Sequence, residues 1–190
     1  NQNGILFDRG TQVNVQSLVA STLNLSNERF LSGVLTAGGL TTPAFEGGYD
    51  DLGNTLPARP DGSRPAPLTL GASGDAVAAA PSLKAGAGGS VMLFAPSIDN
   101  NGGIIRAPDG QVILAAGNKA YLALSDDAND ITLRGFVVEV EAAQDGPGLN
   151  LTNLIRNAGE IAADRGNVSL AALAVSEAQD GDFVLIAGKG

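Results

Sequence analysis

The sequence predicts an all-β fold, a solenoid of short strands stacked in parallel. Three observations predict it. A phrase returns along the chain: glycine, a valine/leucine run ending in alanine, then asparagine, glycine and isoleucine. It stands at Gly89–Ala95 with Asn100–Ile104, at Gly110–Ala116, and at Asn157–Ile161 with Gly166–Ala172. Val91 and Val112 are 21 residues apart, and Val112 and Val168 are 56 apart. A period of roughly 20 made of strands and turns marks a solenoid with one coil per repeat. Second, hydrophobic residues make up 44% of the chain but aromatics only 4%, so the core is built of Ala, Val, Leu and Ile in thin layers. Third, 26 glycines with many Asn and Asp residues supply turns, and long helix-period runs are missing.

Taken in order, Ile5–Phe7, Gln12–Val15 and Leu18–Ala20 read as short strands, and Thr22–Leu25 continues them. Gln12-Val-Asn-Val15 alternates as a half-buried strand should, and Asn3-Gly4 and Arg9-Gly10 signal turns. Asn27–Leu31 reads as a short helical turn. Six of the nine prolines, Pro43 to Pro81, crowd the next stretch. Residues 41–67 therefore read as an excursion from the solenoid, with Leu68–Leu70 returning to it. Residues 89–140 read as the clearest coils, with strands at 91–95, 104–106, 112–115, 121–124, 131–133 and 136–140. Glu139 and Glu141 are expected to face solvent. Residues 142–150 read as a loop, and strands resume at 160–163, 168–172 and 183–187.

Stacking explains the pattern. Each strand pairs with its counterpart one coil away, so inward residues rest on like residues. Glycine and asparagine at the corners permit tight or left-handed turns. Asn100 and Asn157 are expected at equivalent corners. Ile161 to Gly166 is one residue shorter than Ile104 to Gly110, a difference assigned to the corner.

The 190 residues are expected to form one domain, a portion of a larger one, since the chain opens at Asn1 as if in mid-domain. A formal charge of −9 argues against nucleic acid and against anionic membrane surfaces. No apolar run approaches the ~20 residues of a membrane-spanning helix. Cysteine and histidine are both absent, which excludes disulfides and Ser-His or Cys-His nucleophiles. A cysteine-free chain also suits a large protein that crosses a bacterial envelope unfolded.

The remaining chemistry is sparse. Lys84, Lys119 and Lys189 are the only lysines, and none sits in a serine-lysine motif. Carboxylates cluster at Asp50-Asp51, Asp126–Asp130, Glu139 with Glu141, and Asp180 with Asp182. Asp126–Asp130 lacks the glycine and terminal glutamate of an EF-hand loop, so a solvated turn is expected. Gly86–Gly89 lacks the Gly-Lys-Ser/Thr ending of a phosphate loop. Asn24, Asn150 and Asn167 open glycosylation sequons. Arg106, Arg134, Arg156 and Arg165 are expected to balance nearby acids, the alternative being a lateral face for a partner. No catalytic, cofactor-binding or metal-binding residues are expected.

Asn1-Gln-Asn-Gly-Ile-Leu-Phe7, Gln12–Val15 and Leu18–Leu23 together resemble the N-terminal secretion domain of the filamentous haemagglutinin family, the exoproteins of two-partner secretion in Gram-negative bacteria. Gly89–Pro96, Gly102–Gly117 and Asn157–Ala172 are similar to its later phrases. The resemblance covers roughly residues 1–33 and 86–175, and the family's first part is missing. Gln2 stands where the family motif usually has proline, and Asp8 where it usually has glycine. The resemblance implies a right-handed parallel β-helix and a non-catalytic role in secretion targeting and β-helix nucleation. It implies a partner, the periplasmic domains of an outer-membrane transporter, with recognition carried by Asn1, Asn3 and Gly4. It also implies a secreted or cell-surface passenger, an adhesin, haemolysin or contact-dependent toxin, that meets host or neighbouring cells. The alternatives are a β-helix carbohydrate-binding or carbohydrate-active module with a carboxylate cleft beneath the 41–67 excursion, and an adhesive surface on that excursion.

Overall fold

The computed structural model of the chain describes residues 4–25, 30–31, 33, 42–47, 67–71, 78–124, 135–141, 143–144, 154–177 and 183–189. The fold is all-β, and its parallel strands arise from four passes of the chain. The first pass is β1 (Ile5–Phe7), β2 (Gln12–Val15) and β3 (Leu18–Ser21), followed by β4 (Phe45–Glu46). The second is β5 (Leu68–Leu70), β6 (Ser82–Ala85) and β7 (Ser90–Ala95). The third is β8 (Ile98–Asn100), β9 (Ile104–Arg106) and β10 (Gln111–Ala116). Then come β11 (Lys119–Leu124), β12 (Phe136–Glu141) and β13 (Ala143–Gln144). The fourth pass is β14 (Ile155–Asn157), β15 (Glu160–Ala162) and β16 (Asn167–Glu177), and β17 (Phe183–Lys189) follows.

Each pass visits three sheets in the same order. Sheet A stacks β1, β5, β8 and β14; sheet B stacks β2, β6, β9 and β15; sheet C stacks β3, β7, β10 and β16. All of these ladders are parallel. The repeated phrase sets the register: Val91, Val112 and Val168 lie in one column, and Leu93, Leu114 and Leu170 in another. These columns, with Leu68, Ile98, Leu83 and Ile105, form a core shut off from water in the second and third passes.

Asn100 and Asn157 also share a column, as the repeat predicts. They act differently from the expected turn-formers. Gly102 takes the left-handed conformation at φ 89°, and Asn100 turns its side chain inward. There its Nδ2 donates to the Gly103 carbonyl and its Oδ1 accepts from the Gly103 N–H, at 3.1 and 2.7 Å. Nδ2 also donates to Asn157 Oδ1 at 2.7 Å, so one buried amide closes its own corner and grips the next pass.

One alignment is corrected. Ile161 pairs with Ile105, not with Ile104, so both corners have the same length. Ile105 is fully buried, whereas Ile104 lies on the opposite, outward face of its strand.

A second correction concerns 121–124 and 136–140, which are not coils. β11 and β12 pair antiparallel, and β4 joins β11 on its other side, also antiparallel. This extra sheet covers the outer face of sheet C, where Met92, Phe94, Ile113 and Ala115 meet Phe45, Ala120 and Leu122. Phe45 stacks on Phe94 with ring centroids 4.4 Å apart. The start of the 41–67 excursion is thus core, and residues 48–66 lie outside the described residues. Glu139 and Glu141 face solvent as expected. Within the predicted loop 142–150, β13 pairs with Ala174–Val175 of β16. Of the predicted helical turn, Phe30 and Leu31 are helical. The strand predicted at 131–133 lies outside the described residues.

Candidate recognition surface

The first pass is the part of the stack that the motif resemblance singles out. Of its three predicted recognition residues, Asn1 and Asn3 lie outside the described residues. Gly4 is described: its φ of 86° demands glycine, and it turns the chain into β1. At the next corner Asp8 Oδ1 accepts from the Arg9 N–H at 2.8 Å, while Gly10 takes the left-handed conformation at φ 84°. Asp8 is therefore accommodated, because the glycine two residues on supplies the turn.

Each first-pass strand pairs on one side only, with the second pass, among the described residues. Side chains secure that contact. Gln12 Nε2 donates to the Ala80 carbonyl, Gln16 Nε2 to the Ala87 carbonyl, and Ser17 Oγ accepts from the Ser90 N–H, at 3.3, 3.3 and 3.1 Å. The far edges of β1, β2 and β3 present backbone N–H and C=O groups with no described partner, the arrangement that accepts an added strand. Apolar side chains accompany them: Leu6, Val15 and Val19 are 53%, 41% and 38% exposed. Val15 shares a column with the buried Ala85, and Val19 with the buried Met92. They are exposed because they sit at an end of the stack, not because their columns are polar.

The candidate chemical groups do not assemble into a reactive centre. Lys84 is exposed and lies in register with Arg106. Lys119 pairs with Glu141 at 3.0 Å, and that bond raises its pKa, the wrong direction for a general base. Tyr121 donates to the same carboxylate. Burial and this bond raise the tyrosine pKa, while the Tyr121 and Lys119 bonds lower that of Glu141. No three acidic side chains among the described residues are grouped to hold a metal ion. Asp50-Asp51, Asp126–Asp130, Asp180, Asp182 and Arg134 lie outside the described residues.

The other three arginines each meet an acid on the adjacent pass: Arg106 with Glu160, Arg156 with Asp99, and Arg165 with Asp109. The Arg165 guanidinium bonds both Asp109 oxygens, which holds the carboxyl below its usual pKa range. Sequence reasoning foresaw charge balance but not the partners, because pairing depends on register. No family model matches the chain, and neither does any curated protein or solved structure.

Proposed function

We propose that the chain belongs to a secretion-targeting and β-helix-nucleating domain of a large Gram-negative exoprotein, exported by a two-partner system, and that its parallel sheets wind as a right-handed β-helix. The observation that carries this reading is a coincidence. The segment whose residues resemble the family's secretion motif also supplies edges of three sheets that have no strand partner among the described residues. A periplasmic domain of the outer-membrane transporter would add a strand at those edges, with backbone bonds giving affinity and Leu6, Val15 and Val19 giving apolar contact. The second and third passes, whose inward side chains are fully buried, would then serve as the rigid template for later coils. The passenger, an adhesin, haemolysin or contact-dependent toxin, would reach the cell surface or the medium.

Secretion of a reporter tests this. The segment, with its natural upstream sequence, is fused to a reporter and expressed with its candidate transporter. Release that requires the transporter and fails with Asn1→Ala/Asn3→Ala is the expected result. Release without the transporter, or none from a correctly folded fusion, overturns the reading.

A further inference from the structure

One seam of the stack differs from the others. Only residues 96 and 97 separate β7 from β8, so the register of the third pass on the second is fixed by a short connection. The fourth pass follows the third across residues 117–154, which include β11, β12 and β13. A connection of that length leaves the register to contacts across the seam itself, among them the close approach of Gly166 to Gly110. The apolar columns fix it only in part, because a slip of two residues along sheet C sets Val168 on Leu114 and Leu170 on Ala116, still apolar on apolar.

Among the described residues, all three ion pairs between passes lie across this seam. Arg156 meets Asp99 at 2.9 Å on sheet A, and Arg106 meets Glu160 at 2.7 Å on sheet B. Arg165 meets Asp109 at 2.6 Å at the corner between sheets B and C. Along the chain the paired residues of the third pass read acid, base, acid, and their partners in the fourth read base, acid, base, with Asp164 beside Arg165 outside the pattern. Across the seam between the second and third passes the described residues show no ion pair, and like charges lie in register there, Lys84 beside Arg106. Asp109 and Arg165 both hold φ at 57°, so the corner geometry itself repeats and presents the two charges in line.

We infer that this alternating charge pattern is a register key: the fourth pass docks on the third as a separate unit, and the key selects its register from outside. A two-residue slip takes Arg156 off Asp99 and Arg165 off Asp109 while it brings Glu160 level with Arg106, so the slipped state forfeits two of the three pairs; it also sets Asp164 over Gly110, where the backbone leaves no room for a Cβ. The Asn100–Asn157 bond selects the same register from inside the core. The two devices respond differently to salt, because the outer pairs sit in water and are screened. The inference does not rest on the proposed secretion role.

Hydrogen exchange on the full chain tests it, comparing residues 154–173 with residues 82–116 at low salt and at about 1 M NaCl, where the screening length is ~3 Å. Protection of 154–173 is expected to fall about tenfold in high salt, as three exposed pairs allow, with 82–116 unchanged. Arg156→Glu/Glu160→Arg/Arg165→Glu is expected to lose that protection already at low salt. Adding Asp99→Arg/Arg106→Glu/Asp109→Arg is expected to restore it, and Arg165 shows that arginine is accepted at the φ of Asp109. Protection of 154–173 that ignores salt, loss that extends equally to 82–116, or a six-fold variant that stays unprotected each overturns the inference.

Discussion

Gly110→Ala is expected to be among the most damaging single-methyl additions in the molecule. A Cβ built at Gly110 falls 1.7 Å from the Gly89 carbonyl oxygen and 2.8 Å from its carbon. The same column repeats the demand, with a Gly89 Cβ at 1.7 Å from the Gln16 oxygen and a Gly166 Cβ at 2.0 Å from the Gly110 oxygen. The obstacle is backbone, so no rotamer change relieves it. Ordinary contact requires the second and third passes to separate locally by more than 1 Å. The Gln111 N–H, already 3.3 Å from the Gly89 oxygen, then loses its acceptor in a buried site. Overpacking of this kind costs about 1–3 kcal/mol and a stranded buried donor a similar amount. The stiffer unfolded chain offsets about 0.4–1 kcal/mol. A net loss of about 2–4 kcal/mol follows, which lowers a urea midpoint by about 1–2 M for an ordinary slope. Gly88→Asn is the control. Gly88 has φ 73° but nothing within 4 Å of an added Cβ, and Asp109 and Arg165 occupy its column with left-handed φ. Its expected cost is at most about 1 kcal/mol, since asparagine visits this region readily. A Gly110→Ala midpoint within error of the wild type, or equal losses in both variants, refutes the close-approach argument.

Phe45→Ala removes a side chain buried against Phe94 and is expected to cost about 3–5 kcal/mol, with faster hydrogen exchange in 119–124 and 136–141 than in 98–106; equal acceleration in both would mean that the extra sheet and the stack melt as one. Alkali is expected to loosen the same sheet. Tyr121 and Lys119 both have raised pKa values, so the folded state holds protons that the unfolded state releases first. Their contribution is complete below about pH 10 and is lost as pH rises through the folded values. A thermal melting profile of the wild type between pH 8 and 11 should therefore decline, and Tyr121→Phe should flatten the decline; an unchanged slope counts against the assignment.

The legible part of the fold was the part that repeats. A recurring phrase of like residues placed Val91 on Val112 and Val168, because parallel stacking rewards like on like. β8, β14 and β6 carry no such signal. Each has only three or four residues, two of them inward, and Ile98-Asp-Asn100 and Ile155-Arg-Asn157 carry a polar residue even at an inward position. The covering sheet does leave a signal in the sequence. Val91–Ala95 and Val112–Ala116 are apolar on both faces, and a strand of that kind must be buried on both. The Ile104 misalignment shows the limit of matching names: two isoleucines stand side by side, and only burial tells which one faces the core. The charge pairs were out of reach for a related reason. Arg106, Arg156 and Arg165 find their acids 54 to 57 residues away, across a segment whose length no period fixes.

The glycine column also gives the stack a direction. Read along sheet C in register, its members are Gln16, Gly89, Gly110 and Gly166. Every pass that rests on an earlier one has glycine there, because the earlier carbonyl occupies the space a Cβ would take. The first pass has a full side chain, and that side chain is spent on the second pass through the Ala87 carbonyl. A side chain is tolerated at this position because no described pass lies beneath it. The two ends are therefore chemically unlike. The fourth pass offers at Gly166 the same backbone surface that Gly110 offers to it, but from Ala171 to Glu177 its far edge is taken by β17, which pairs antiparallel. Among the described residues the first pass breaks the glycine rule and leaves three short edges with exposed Leu6, Val15 and Val19, which suits an added strand of different geometry. Within the proposed function, recognition and propagation thus fall at opposite ends of the stack. A transporter bound to the first pass would leave the fourth untouched, where a further coil would take the place that β17 holds along β16 from Ala171 to Glu177.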